Sequence, residues 1–225
     1  MSARAEILQR VRAGLGKGDA VARRAAAEAT MRARARGPQP GFADDLAERF
    51  ARKALALASS VERVAGSQAV PAAVARYLAE NGLPHQAVVT GDVAGFDWSG
   101  AGLDMAGRAA PEGPFLQRAV DADKVGLSRC FRAIAETGTL LLLSGPQRPA
   151  SVSLLPETHI AIVSVDRIVA TMEDAFALLR TEYGALPRAV NFISGPSRTG
   201  DIEQTIVLGA HGPCRVHLIL TGEAI

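Results

Sequence analysis

Ile7, Leu8, Val11 and Leu15 recur at helical spacing, which predicts an amphipathic helix over residues 3–15 with Glu6 and Arg10 placed for an i,i+4 pair. Gly14, Gly16 and Gly18 end it, and Asp19 is placed to cap a second helix running through Arg36. Gly37-Pro38-Gln39-Pro40 then breaks the chain, dividing it into a helical arm, residues 1–40, and a main domain, residues 41–225.

In the main domain Phe42, Leu46, Phe50 and Leu57 form a helical stripe, and Val61 to Ala65 reads as the first strand. Pro71 suits the first turn of a helix that carries Val74 and Leu78 on one face, and Asn81-Gly82 stops it before an apolar strand, Ala87 to Thr90. Residues 91–114, rich in glycine and holding the sole Trp98, read as a long irregular excursion near the surface. Short apolar runs follow: Val125 to Ser128, Thr139 to Ser144, Ser151 to Leu155, His159 to Val165, Ala189 to Ser194 and Val216 to Leu220. Continuous runs of this kind are expected of strands covered on both faces, which predicts an α/β fold with a mostly parallel sheet flanked by helices. One further helix is marked by the capping-box pattern Thr171-Met172-Glu173-Asp174 and closed by Gly184.

At 225 residues, 48% apolar and 4% aromatic, the chain has the material for one sizeable α/β domain with short appendages. Its two cysteines, Cys130 and Cys214, form no CxxC or zinc-knuckle spacing and read as free thiols in a reducing compartment. No apolar run approaches the roughly 18 residues of a membrane span, and no secretory h-region opens the chain. Arg outnumbers Lys 22 to 3, a bias that together with the rest reads as a cytoplasmic, bacterial protein. The net charge of +2 hides an asymmetry: residues 1–40 carry nine Arg/Lys against three acids, leaving −4 on the remainder. The basic arm has no aromatic residue for base stacking and no groove-reading motif, so no nucleic-acid partner is expected.

Open α/β sheets bind ligands in loops beyond the carboxyl ends of their strands. Three loops draw attention on that ground. In Glu136-Thr137-Gly138-Thr139 a carboxylate and two hydroxyls flank a glycine, and Glu136 has the chemistry of a general base or nucleophile. In Ser194-Gly195-Pro196-Ser197-Arg198-Thr199-Gly200-Asp201 small hydroxyl residues and an arginine suggest an anion cradle, with Arg198 gripping a carboxylate or phosphate. The spacing Gly195 to Gly200 resembles a P-loop, but Asp201 stands where that motif requires lysine. In Gly209-Ala210-His211-Gly212-Pro213 the histidine is placed for proton transfer near neutrality. Each loop also reads as a plain turn. Glu136, His159 and His211 have no ligand spacing that would call for a metal, and no G-x-G-x-x-G fingerprint for a dinucleotide follows a strand, so no cofactor is evident in the chain. His217 and Cys130 read as structural residues.

Ala133-Ile134-Ala135-Glu136-Thr137-Gly138-Thr139-Leu140, then Pro156-Glu157-Thr158-His159, then Ser194 to Thr199 with Asp201-Ile202-Glu203, then Leu208-Gly209-Ala210-His211-Gly212-Pro213, together resemble the LUD domain of the lactate utilization protein C family, over about residues 41–225. The resemblance implies a NagB/RpiA/CoA-transferase-like fold and a part in oxidising L-lactate to pyruvate. It also implies companion subunits that carry iron-sulfur clusters, this chain being the one without them. The roles expected here are Glu136 and His211 as catalytic groups, and Thr137, Gly138, Thr139, Ser194, Gly195, Ser197, Arg198, Thr199, Asp201 and Gly212 as contacts to a small anionic ligand. A stand-alone enzyme of the same fold group acting on a CoA ester, phosphosugar or folate, and a non-catalytic scaffold or regulator, are alternatives.

Overall fold

The computed structural model describes residues 2–15, 19–107, 123–202 and 205–222. Contacts divide the chain into two compact units, residues 1–39 and 40–225. The first holds helices α1 (Ala3–Gly14) and α2 (Ala20–Ala33), capped by the Ser2 hydroxyl and the Asp19 carboxylate. Gly16 and Gly18, expected to end α1, lie outside the described residues.

The second unit is built on a six-stranded sheet in which every pairing is parallel. Its strands are β1 (Ser60–Val64), β2 (Gln86–Val89), β3 (Asp104–Gly107), β4 (Val125–Arg129), β7 (Thr158–Ser164) and β12 (Arg215–Thr221), in the order β1-β12-β7-β4-β2-β3. Alternate side chains of one strand enter different cores, which explains the unbroken apolar runs. On β7, Ile160 and Ile162 pack with helix α4 (Val70–Glu80), while Ala161 and Val163 pack with helix α3 (Leu46–Ala56). The Asp45 carboxylate caps α3 by accepting from Ala47 and Glu48, and Pro71 occupies the first turn of α4.

A second sheet, β8-β5-β6-β9, covers the outer face of α3; its strands are β5 (Arg132–Ile134), β6 (Thr139–Leu143), β8 (Ile168–Val169) and β9 (Val190–Ile193). Helix α6 (Met172–Tyr183) packs on its far side through Ala175 and Leu179, and Thr171 and Asp174 form the capping box read from the sequence. A hairpin of β10 (Arg198–Ile202) and β11 (Thr205–Leu208) completes the strands described.

Three expectations change. The runs at Thr139 and Ala189 are strands, but β6 pairs antiparallel with both β5 and β9 and lies outside the parallel sheet, since a buried apolar run does not encode its pairing partner. Ser151 to Leu155 is not a strand: Pro149 and Pro156 bracket a single helical turn, α5 (Ser151–Leu154), whose amides turn back to Pro149, Ala150 and Ser151. The excursion after residue 90 lies near the surface as expected, but over residues 91–107 it is not irregular throughout and is anchored inward. Val93, Trp98 and Leu103 are buried, the Trp98 indole donates to the Val93 carbonyl at 2.9 Å, and β3 pairs with β2. Residues 108–114 of that excursion lie outside the described residues.

Two buried histidines make stability depend on pH. His159 lies 2.8 Å from the Ser128 hydroxyl through Nε2, and His217 lies 2.8 Å from the Ser60 hydroxyl through Nδ1 and stacks on Tyr77. Burial pushes both from 6.5 down to about 4. Glu62, 3.8 Å from His217, would favour the charged ring, but Arg76 engages that carboxylate and burial dominates. Because the folded state keeps these rings neutral, the unfolded chain binds more protons between pH 6.5 and 4, and stability falls as pH drops through that window. By pH 5.5 each histidine is expected to remove about 1.4 kcal/mol. Denaturant unfolding at pH 7.5 and 5.5 checks this; equal stability at the two values would contradict it.

Candidate functional site

The three loops expected to bind a ligand meet at one junction. Glu136 is half-buried and its N–H donates to the Ala170 carbonyl at 3.0 Å, while the Gly138 N–H closes the turn onto Ile134. The Thr137 hydroxyl donates to Thr139 at 2.8 Å, and Thr139 lies 2.7 Å from the Ser194 hydroxyl, joining the first loop to the second. The Ser197 N–H donates to the Pro213 carbonyl, the Gly209 N–H to the Ser197 carbonyl and the His211 N–H to the Ser197 hydroxyl, joining the second loop to the third. Gly212 packs beside Ser197, where a Cβ would lie 3.5 Å from the serine Cβ.

Two glycines of this junction sit where a side chain would collide with the end of α3. Gly138 has φ +70° and Gly195 φ +83°, and a Cβ at Gly195 would overlap the Leu57 carbonyl just past α3. In the second loop Arg198 opens strand β10, paired with Leu208, and Thr199 is buried opposite Val207. Asp201 belongs to that strand, its side chain lies outside the described residues, and so does Glu203. Arg198 and His211 are exposed. His159 sits inside the sheet against Ser128, and among the described residues no group of three or more His, Cys, Asp or Glu could hold a metal ion.

A different place collects open volume and unbalanced charge. The carboxyl ends of β2, β4 and β7 come together, and two cavities open there, separated by Asp92 and Arg129, which line both. The smaller, about 300 Å³, is lined by Arg129, Arg148, Arg167, Ser164, Glu182 and Tyr183 among others. The larger, about 760 Å³, runs past Ser67, Pro71, Ala72, Phe96, Asp97 and Ala101. None of the residues expected from the three loops lines either cavity.

Around the smaller cavity the cations are crowded. Arg132, 6% exposed, pairs with Glu182, which Arg167 also approaches at 3.9 Å, and the Arg148 guanidinium donates to the Tyr183 hydroxyl at 2.9 Å. Arg129 Nη2 is buried with no hydrogen-bond partner among the described residues. Burial pulls Arg129 below its ordinary range and Asp92 opposes that shift; burial lowers Arg132 as well, and Arg167 lowers both. An anion in this cavity would accept from Arg129 Nη2 and relieve the repulsion that Arg167 exerts on Arg129 and Arg132. Burial pushes the adjacent Cys130 thiol up to about 12, so it stays a protonated, inert side chain.

Sequence reasoning missed this cleft, although a signal existed. Arg129 directly follows the run Val125 to Ser128, and Asp166-Arg167 follow the run His159 to Val165, both true parallel strands. Reading the residues after those two runs, instead of the loops before β6, after β9 and before β12, leads to Arg129.

Fold and cleft together define an α/β protein whose parallel sheet presents an arginine-lined cavity at its carboxyl edge. The family model of the LUD domain matches residues 47–221, and the chain belongs to the LUD-domain family. It is 41% identical over 110 residues to lactate utilization protein C of Shouchella clausii, covering 48% of each chain. It is 35% identical over 130 residues to lactate utilization protein C of Bacillus subtilis, covering 56% of this chain and 54% of that one. The matches therefore span about half the length of these relatives. The crystal structure of a DUF162 family protein from Deinococcus radiodurans superposes with a TM-score of 0.59 at 22% identity, covering 81% of this chain and all of that one, and shows the shared fold. The resemblance to lactate utilization protein C and the expected α/β architecture are both borne out. No helix of the described residues is long and apolar enough to cross a membrane.

Proposed function

We propose that this chain is a cytoplasmic component of a system that oxidises L-lactate to pyruvate, the subunit without iron-sulfur clusters, and that it binds a small carboxylate through Arg129. The name shared by its relatives supports the process, and the observation that carries the ligand is the buried Arg129 Nη2 without a protein partner, flanked by Arg148 and Arg167 in a cavity of about 300 Å³. Lactate and pyruvate each offer one carboxylate to that cluster, whose positive charge exceeds that of the acids lining the same cavity. Glu136 and His211, proposed from the sequence as catalytic groups, line neither cavity and are assigned no chemical step in this reading.

Oxidation of lactate releases two electrons and two protons, and the electrons pass to iron-sulfur companions in this reading. The purified chain alone is expected to show no lactate-dependent dye reduction, whereas the chain mixed with its companion subunits restores it. In that mixture Arg129→Gln is expected to lower turnover at least tenfold, and His211→Asn to leave it unchanged. Turnover by the chain alone, or full activity with Arg129→Gln, would reject the proposal.

A further inference from the structure

We propose that the larger compartment beside Arg129 is a second subsite, which takes the nucleoside part of a ribonucleotide and directs its phosphate to Arg129. Its volume, about 760 Å³, is far more than a three-carbon acid fills. It lies in the range of about 300–1,000 Å³ common to pockets that enclose ligands of several rings.

The walls are of two kinds. Phe96, Pro71, Ala72 and Ala101 offer apolar surface to a flat ring. The Phe96 ring is seated against Trp98, centroids 5.2 Å apart, and Trp98 is anchored by its own hydrogen bond to Val93. Ring stacking on such a surface favours a flat heterocycle over an extended chain. The polar wall includes Asp92 and Asp97, acceptors suited to the vicinal hydroxyls of a ribose. Both are already oriented. Asp97 Oδ1 accepts from the Gly100 N–H at 2.9 Å and the Ser99 hydroxyl at 3.2 Å, and Asp92 Oδ1 accepts from the Thr90 hydroxyl at 2.6 Å. Gly100 makes this arrangement possible, because a Cβ there would overlap Asp97 Oδ2.

Charge sets the direction of the ligand. Asp97 lines only the larger compartment, Arg148 and Arg167 line only the smaller, and Asp92 with Arg129 stands on the boundary. A phosphate is repelled from the Asp97 end and drawn to Arg129, whereas a neutral diol is accepted where the carboxylates lie. No glycine-rich phosphate loop is needed for a single phosphate held by an arginine. The inference shares Arg129 with the carboxylate reading but does not depend on lactate or pyruvate being the anion.

Calorimetric titration of the full chain with AMP, adenosine, ribose 5-phosphate and inorganic phosphate tests it, with Asp97→Asn and Ala72→Leu as variants and pyruvate as a parallel ligand. AMP is expected to bind more tightly than adenosine or ribose 5-phosphate, and inorganic phosphate most weakly. Each variant is expected to weaken AMP at least tenfold and to leave the response to pyruvate unchanged. Ala72 is exposed on α4, so its leucine variant keeps the fold and decides the matter should Asp97→Asn disturb the loop. No binding of AMP or adenosine, ribose 5-phosphate binding as tightly as AMP, or AMP binding indifferent to Ala72→Leu would overturn the subsite. AMP binding with the expected sensitivities and no response to pyruvate would uphold it and reject the carboxylate reading instead.

Discussion

Gly138→Ala is expected to destabilise the main domain by about 4 kcal/mol, the sum of left-handed strain and overpacking. The strain arises because Gly138 has φ +70°. The overpacking arises because a Cβ there would stand 2.6 Å from the Ala54 amide nitrogen and 2.7 Å from the Lys53 carbonyl carbon, backbone atoms of the last turn of α3 that have nowhere to move. At about 2–4 °C per kcal/mol for a domain of this size, the unfolding midpoint should drop by roughly 10 °C. Gly82 supplies the control: it has φ +61° with nothing within 4 Å of its Cβ position, so Gly82→Ala should cost only about 1 kcal/mol. Thermal unfolding of the two variants separates strain from packing. Equal midpoints would contradict the packing role, and a stable Gly138→Ala that loses its response to pyruvate would return the glycine to a ligand site.

Arg129→Gln is expected to leave the stability of the ligand-free chain within about 1 kcal/mol of its original value, because the group removed is a half-buried cation with one buried, unpartnered nitrogen. Its effect should appear on adding pyruvate. Truncating one partner of a buried charge-assisted pair costs about 2–5 kcal/mol, and 2 kcal/mol corresponds to about 30-fold in affinity. At a pyruvate concentration about 100 times its dissociation constant the original chain should gain roughly 2.7 kcal/mol, and the variant less than about 1 kcal/mol. Unfolding midpoints with and without pyruvate measure both quantities. Equal gains for the two chains would place the anion elsewhere.

Local signals carried much of the fold. Pro71 and Asn81-Gly82 bracket α4, Asp19 caps α2, and Thr171 with Asp174 caps α6, because each acts through bonds to its own neighbours in the chain. Pairing partners were not legible: Thr139–Leu143 and Thr158–Ser164 are equally apolar, yet one pairs antiparallel with both its neighbours in a mixed sheet and the other lies at the centre of the parallel one. That difference decided where a site was sought. The loops before β6 and after β9 drew attention for their hydroxyls and glycines; Thr137, Thr139 and Ser194 bond one another, and Gly138 and Gly195 sit close against the end of α3. The cleft around Arg129 has no local motif. It exists because β2, β4 and β7 end side by side and bring Asp92, Arg129, Ser164 and Arg167 together from distant segments, and a single arginine after a strand carries no mark of that in the sequence.

The most direct test of an anion site at Arg129 is a crystal structure of the chain with pyruvate bound. The pyruvate carboxylate is expected in the cavity of about 300 Å³, within hydrogen-bond distance of Arg129 Nη2 and beside Arg148 and Arg167. Pyruvate bound instead at Arg198 and His211 on the loop junction would contradict it.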